Sequence, residues 1–63
     1  MDMYRVDFEF MITDPEETDG KWHKDFVDNN GKGFNYGEAL HVAYELMQSS
    51  IARVRSAKPV KMA

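Results

Sequence analysis

The segment 47-MQSSIARVRS-56 decides the fold, because it admits two readings. Taken with period 3.6, it prolongs the apolar stripe of the preceding helix through Ser50, Ile51 and Val54. That helix would end near Ala57, ahead of Lys58-Pro59, giving a β-β-α chain with one long C-terminal helix. Taken with period 2, the helix stops at the paired serines and a strand begins near Ala52. Ala52, Val54, Ser56, Val60 and Met62 then share one face, and Arg53, Arg55 and Lys61 the other. The strand is favoured. Ser49, Ser50, Ile51 and Val54 are weak helix formers, and a two-stranded hairpin is marginal in water until a third strand widens it. As a strand, Arg53 and Arg55 can sit beside Asp7 and Glu9, each such pair contributing about 0.2–1 kcal/mol. Pro59 then requires an edge or a bulge.

Upstream, residues 3–12 (MYRVDFEFMI) alternate with period 2. Tyr4, Val6, Phe8, Phe10 and Ile12 point one way, and Arg5, Asp7, Glu9 and Met11 the other, as in a half-buried strand. Residues 13–20 form an acidic loop around Pro15 and Gly20, and residues 21–27 (KWHKDFV) read as a second strand. There Trp22, Lys24 and Phe26 share a face, opposite His23, Asp25 and Val27. DNNGKG (28–33) is a break rich in residues that tolerate positive φ. A helix follows, with Asn35 as N-cap, Glu38 completing a capping box, and Phe34 as a staple. Tyr36, Ala39, Leu40, Ala43, Leu46 and Met47 form the stripe expected to cover the sheet, with Glu38, His41 and Glu45 opposite. Gly37 suggests close approach of helix to sheet. The expected architecture is α+β: one domain over residues 1–63, β-β-α-β with a three-stranded antiparallel sheet, and a tail prone to fray at 59–63.

Sixty-three residues bury a marginal core, and the chain has no cysteine to cross-link it or to bind metal as thiolate. Self-association as a homodimer is the expected remedy. The composition, 43% hydrophobic and 30% charged, is that of an ordered domain. No apolar run reaches a membrane span, and the acidic, alternating N-terminus is unlike a signal peptide, so a cytoplasmic location is expected. Net charge is −3 but divides unevenly, −6 over residues 1–31 and +3 over residues 32–63. An intramolecular pairing of the two halves is the plain explanation; a charged partner is the functional one.

The histidines His23 and His41 lack metal-ligand spacing, and DNNGKGFNYGEA fails as a calcium loop at Lys32 and Ala39. No nucleophile–base pair is apparent, so neither enzyme activity nor a cofactor is expected. Two binding surfaces are candidates. The carboxylates of Asp7, Glu9, Asp14, Glu16, Glu17, Asp19 and Asp25 offer an acidic surface to a protein partner, with Trp22 as hot spot if it lies on the uncovered sheet face. Alternatively, Arg53, Arg55, Lys58 and Lys61 offer contacts to nucleic acid.

The residues YRVDFEF, TDGKW and GKGFNYGEALHVAYEL, in this order of elements, resemble short phage and prophage accessory proteins. The element order is also similar to the phage inhibitors of uracil-DNA glycosylase, β-β-α-β dimers that mimic DNA, with the acidic DGK turn in common. The resemblance implies a non-enzymatic protein that binds one macromolecule and blocks it. The expected function is therefore protein–protein binding, as a phage-type inhibitor of a host or defence protein. Nucleic-acid binding and a structural or assembly role are the alternatives.

Overall fold

Gln48 and Ser49 close the helix: their N–H groups donate to Glu45 O and Leu46 O, each at 3.1 Å, and three residues later the chain is extended. The 47–56 segment is thus a helix end followed by a strand, and the long C-terminal helix is not formed. The computed structural model describes residues 2–17, 19–50 and 52–63, so Ile51 lies outside the described residues, as does Thr18 of the acidic loop. The order is β1 (Tyr4–Ile12), β2 (His23–Val27), α1 (Tyr36–Met47) and β3 (Ala52–Lys61). The strands form one antiparallel sheet in the order β2-β1-β3, with α1 on one face, an α+β fold. β2 is shorter than the sequence suggests, and residues 59–61 continue β3. Among the described residues no helix is long and apolar enough to cross a membrane.

β1 is central, so both its edges are hydrogen-bonded. Val6 lies between Val27 of β2 and Pro59 of β3, and Phe8 between Asp25 and Ala57. Glu9 is opposite Ser56 while Phe10 is opposite Val54, so Arg55 is the extra residue of a β-bulge. The bulge shifts the alternation of β3 by one. Ala52, Val54, Ala57, Pro59 and Lys61 share the helix side, and Ser56, Lys58 and Val60 the opposite side. This corrects the regular alternation, which groups Ser56 and Val60 with Ala52 and Val54, and Lys61 with the arginines. Pro59 does sit on an edge strand. Met62 N–H donates to Met3 O at 2.9 Å. Counting alternate pairs from there makes Val6–Pro59 a non-hydrogen-bonded pair, so the N–H that proline lacks is not missed by β1.

Among the described residues the buried core side chains are Val6, Ala39 and Ala43, with Tyr4, Val27, Phe34, Val42, Leu46 and Ala57 packed around them. Two alanines let the helix axis settle close over Val6, and this fixes its rotation. The sheet-facing residues are Ala39, Val42, Ala43 and Leu46. Leu40 and Met47, expected to cover the sheet, are instead 46% and 45% exposed, and Tyr44 is 63% exposed; Tyr36, 54% exposed, meets the sheet only through its ring, set edge-on to Tyr4 of β1 with centroids 5.1 Å apart. Gly37 is exposed too, and a Cβ there would meet nothing closer than Asn35 Oδ1 at 3.5 Å, so close approach to the sheet is not its reason.

The 28–33 break turns through four positive-φ residues, Asn29, Asn30, Gly31 and Gly33. Gly33 N–H donates to Asp28 O at 2.8 Å, which aims Phe34 back along β1. Phe34 and Tyr4 then exchange two backbone hydrogen bonds of 2.8 Å. Asn35 Oδ1 accepts from Glu38 N–H at 2.8 Å, and Glu38 Oε1 accepts from Asn35 N–H at 3.1 Å. This capping box stabilises the helix start by about 1 kcal/mol.

The two glycines separate by their surroundings. Gly33 has φ 80°, and a Cβ there would lie 2.8 Å from Met3 Cβ and 2.9 Å from Met62 Sδ. Gly33→Ala therefore lowers stability by about 1–3 kcal/mol, while Gly37→Ala raises it by about 0.5–1 kcal/mol. Urea unfolding of the two variants checks both signs.

Candidate functional site: the uncovered face of the sheet

With α1 on the side of Val6, the side chains of Arg5, Asp7, Glu9 and Met11 stand on the opposite face of the sheet. Their cross-strand neighbours stand with them. Val60 is beside Arg5, Phe26 and Lys58 flank Asp7, Lys24 and Ser56 flank Glu9, and Arg53 is beside Met11. Every position thus follows from the β1 register and the bulge.

Two arginine–carboxylate–aromatic units organise this face. Arg5 Nε donates to Asp7 Oδ1 at 2.8 Å, and its guanidinium lies 5.1 Å from the centroid of the Phe26 ring. Arg55 donates to Glu9 Oε2 from Nη2 at 2.7 Å and from Nε at 3.2 Å, and stands 4.5 Å from the Trp22 ring centroid. Each cation–π contact contributes about 0.5–1 kcal/mol at an exposed site. Each arginine is held at two points, so both aromatic rings are positioned before any partner arrives. The hydrogen bond from Arg55, with its positive charge and that of Lys24, holds the Glu9 carboxyl below the usual glutamate range.

The seven carboxylates read as one acidic surface are dispersed. Asp7 and Glu9 lie on the uncovered face among cations. Asp25 lies on the helix side opposite Phe8, where its Oδ1 accepts from Phe26 N–H at 2.8 Å. Asp14, Glu16, Glu17 and Asp19 sit in the loop at one end of the sheet. Asp14 Oδ1 accepts from Glu16 N–H at 2.9 Å and closes a turn. Asp19 Oδ1 accepts from Lys21 N–H at 2.9 Å, and Oδ2 is 3.0 Å from His23 Nε2; these contacts hold the Asp19 carboxyl below its ordinary range. The basic residues divide as well. Arg53, Arg55 and Lys58 share the uncovered face, whereas the Lys61 ammonium is 3.4 Å from Asp2.

His23 stands opposite Phe10 of β1. Its ring is 5.5 Å from Phe10 on the helix side, beyond the core. His41 pairs with Glu45 at 3.4 Å on the solvated side of α1. Among the described residues no three histidine or carboxylate side chains converge as a metal site would require. Trp22 is half-buried under Arg55 rather than in the core. Arg5 and Lys24 were missed as site residues, although the alternation of β1 already placed Arg5 beside Asp7. The depression on this face, between Asp7, Glu9, Lys24, Ser56 and Lys58, measures ≈ 210 Å³. No protein-family model matches the chain, and no curated protein or solved structure matches it either.

Because the Glu9 pKa is depressed in the folded state, its contribution to stability is present above the ordinary glutamate pKa of about 4.3. It is lost as pH falls through the lower folded value. Arg55→Ala returns the Glu9 carboxyl toward the ordinary range in a side-chain NMR titration. In Glu9→Gln, the loss of stability on acidification is smaller than in the parent protein.

Proposed function

We propose that the chain is a small non-enzymatic protein that works by binding another protein through the uncovered face of its sheet, as a homodimer in the cytoplasm. In this reading it acts as a phage-type inhibitor, covering the working surface of a host or defence protein. One observation carries it: tryptophan and arginine, the side chains that most often dominate protein interfaces, are stacked together at Trp22–Arg55 on a face that no helix or strand among the described residues covers. Phe26 and Arg5 repeat the arrangement. The accompanying depression of ≈ 210 Å³ is smaller than the roughly 300–1,000 Å³ of small-molecule sites, which favours a macromolecule over a substrate.

A second reading rests on a different feature of the same face. Arg5, Lys24, Arg53, Arg55 and Lys58 outnumber Asp7 and Glu9 there, and cations beside aromatic rings suit a single-stranded nucleic acid. A protein partner remains the better fit. Asp7 and Glu9 stand on the central strand, where a phosphate backbone would cross, and the arginines already pair with them. A surface carrying both signs of charge matches another protein surface of the opposite pattern.

Trp22 is the only tryptophan, so its emission reports directly on this face. Trp22→Ala and Arg55→Glu each weaken capture of the partner at least about tenfold, the loss of one hot-spot residue. Addition of the purified partner shifts Trp22 emission in the parent protein. If single-stranded DNA or RNA instead quenches Trp22 at low salt, and Arg53→Glu with Arg55→Glu abolishes the effect, the nucleic-acid reading replaces the protein one.

A further inference from the structure

Charge on the uncovered face of the sheet is opposite in sign to charge on the rest of the molecule. Among the strand residues, Arg5, Lys24, Arg53, Arg55 and Lys58 share that face with Asp7 and Glu9, five cations against two carboxylates, a net +3. The chain as a whole carries −3, so the remainder amounts to −6. Arg5 and Arg55 are engaged by Asp7 and Glu9. Lys24, Arg53 and Lys58 are exposed and make no ion pair among the described residues. They stand on the outer strands, Lys24 on β2 and the other two on β3, to either side of the neutralised pairs of β1. Lys24 and Lys58, with Ser56 beside them, line the depression of ≈ 210 Å³. At about 4.8 Å between strands and about 3.4 Å along them, their Cα atoms are about 12 Å apart, so two lysine side chains reach one group seated between them.

We infer that the partner presents an acidic protein segment to this face, with aspartate or glutamate side chains seated between Lys24 and Lys58 and against Arg53. The inference rests on the protein-binding reading given above and names the chemistry of the partner. Its ground is charge complementarity. Three unpaired cations on an otherwise acidic molecule attract carboxylates to this face while the remaining surface repels them, which sets the orientation of the encounter.

The surroundings of the face limit what the occupant can be. Asp14, Glu16, Glu17 and Asp19 lie beyond one end of the sheet, and Asp2 and Asp28 beyond the other. A nucleic acid strand carries charge at every residue and would run into like charge at both ends; a protein segment carries it only where the cations stand. The sheet edges do not offer the alternative of adding a strand. Phe26 N–H, on the outer edge of β2, is taken by Asp25 Oδ1 at 2.8 Å, and β3 presents Pro59, which has no N–H to give. The contact is therefore made by side chains on the face, with Trp22 and Phe26 as its apolar anchors and the three cations as its polar rim.

Titration of the whole chain with octaglutamate tests this at about 20 mM ionic strength, where a Debye length of roughly 20 Å leaves exposed charges largely unscreened. The readouts are the backbone amide shifts of Lys24, Arg53, Ser56 and Lys58, and Trp22 emission. Octaglutamate is expected to bind with a Kd below about 1 mM and to weaken at least about tenfold at about 0.5 M salt, and octaglutamine is expected not to bind. Lys24→Gln with Lys58→Gln raises Kd at least about fivefold, the loss of two exposed charge pairs. Neither lysine makes an ion pair in the fold, so the circular dichroism stays that of the parent. Lys21→Gln with Lys32→Gln removes the same charge away from the depression and leaves Kd within about twofold. An equal loss in both double variants overturns the inference, as does no binding up to about 5 mM, or tighter binding of an oligothymidylate of the same length. Partner capture that falls in Trp22→Ala but stands in Lys24→Gln with Lys58→Gln overturns it too, and leaves the protein-binding reading intact.

Discussion

A single strand with two faces and one helix to cover them is the constraint on which the rest of this structure depends. β1 has nine residues and α1 twelve. At 3.4 Å and 1.5 Å per residue they are about 31 Å and 18 Å long. The helix therefore shields only part of one face. Burial is complete only where Ala39 and Ala43 bring it down on Val6, and the molecule is correspondingly elongated, 43 × 20 × 17 Å. What apolar burial cannot supply on the other face is met by paired charge and ring stacking. Arg5 with Asp7 and Phe26, and Arg55 with Glu9 and Trp22, tie neighbouring strands together. The same interactions that complete the sheet assemble its most adhesive surface.

Much of this was legible in the chain. The strict alternation of 3–12 gave β1 and its two faces, because one face is buried and a slip of one residue would invert them. Asn35 and Glu38 gave the helix start, since the capping box is a local hydrogen-bond exchange that needs no tertiary contact. The helix rotation was not legible. Tyr36, Leu40 and Met47 look more like core than Ala39 and Ala43 do. Yet a helix lying close on a small sheet favours alanine at the contact, and displaces large side chains to its flank. The position of Trp22 was open for a similar reason: sequence shows that it shares a face with Phe26 and Lys24, but not which face the helix takes.

The charge asymmetry resolves across the β1–β3 pairing. The excess of carboxylates in the first half and of cations in the second become neighbours when β3 docks beside β1, as Glu9–Arg55 and Asp7 opposite Lys58. Such exposed pairs are individually weak, and their effect is to fix register more than to add stability. The acids left over gather in the 13–20 loop, where Asp14 and Asp19 accept backbone N–H bonds as turn formers. An acidic surface continuous from strand to loop, as a DNA mimic would need, is therefore not what this register builds.

The bulge at Arg55 joins fold to site. The apolar residues of β3 that turn toward the helix side are Ala52 and Val54 at one end and Ala57 and Pro59 at the other. Val54 and Ala57 lie three positions apart, an odd interval that no regular strand can place on one face. Continued without the bulge from the Glu9–Ser56 pair, the ladder would set Arg55 opposite Phe10 on the helix side, and Val54 opposite Met11 on the other. An arginine would meet an apolar surface, and Trp22 would lose its cover. Inserting one residue restores the apolar face at both ends and delivers the guanidinium to Glu9 and Trp22 together. The parity break from Val54 to Ala57 is written in the sequence. Its sense becomes readable only once β1 supplies the ladder against which the extra residue can be counted.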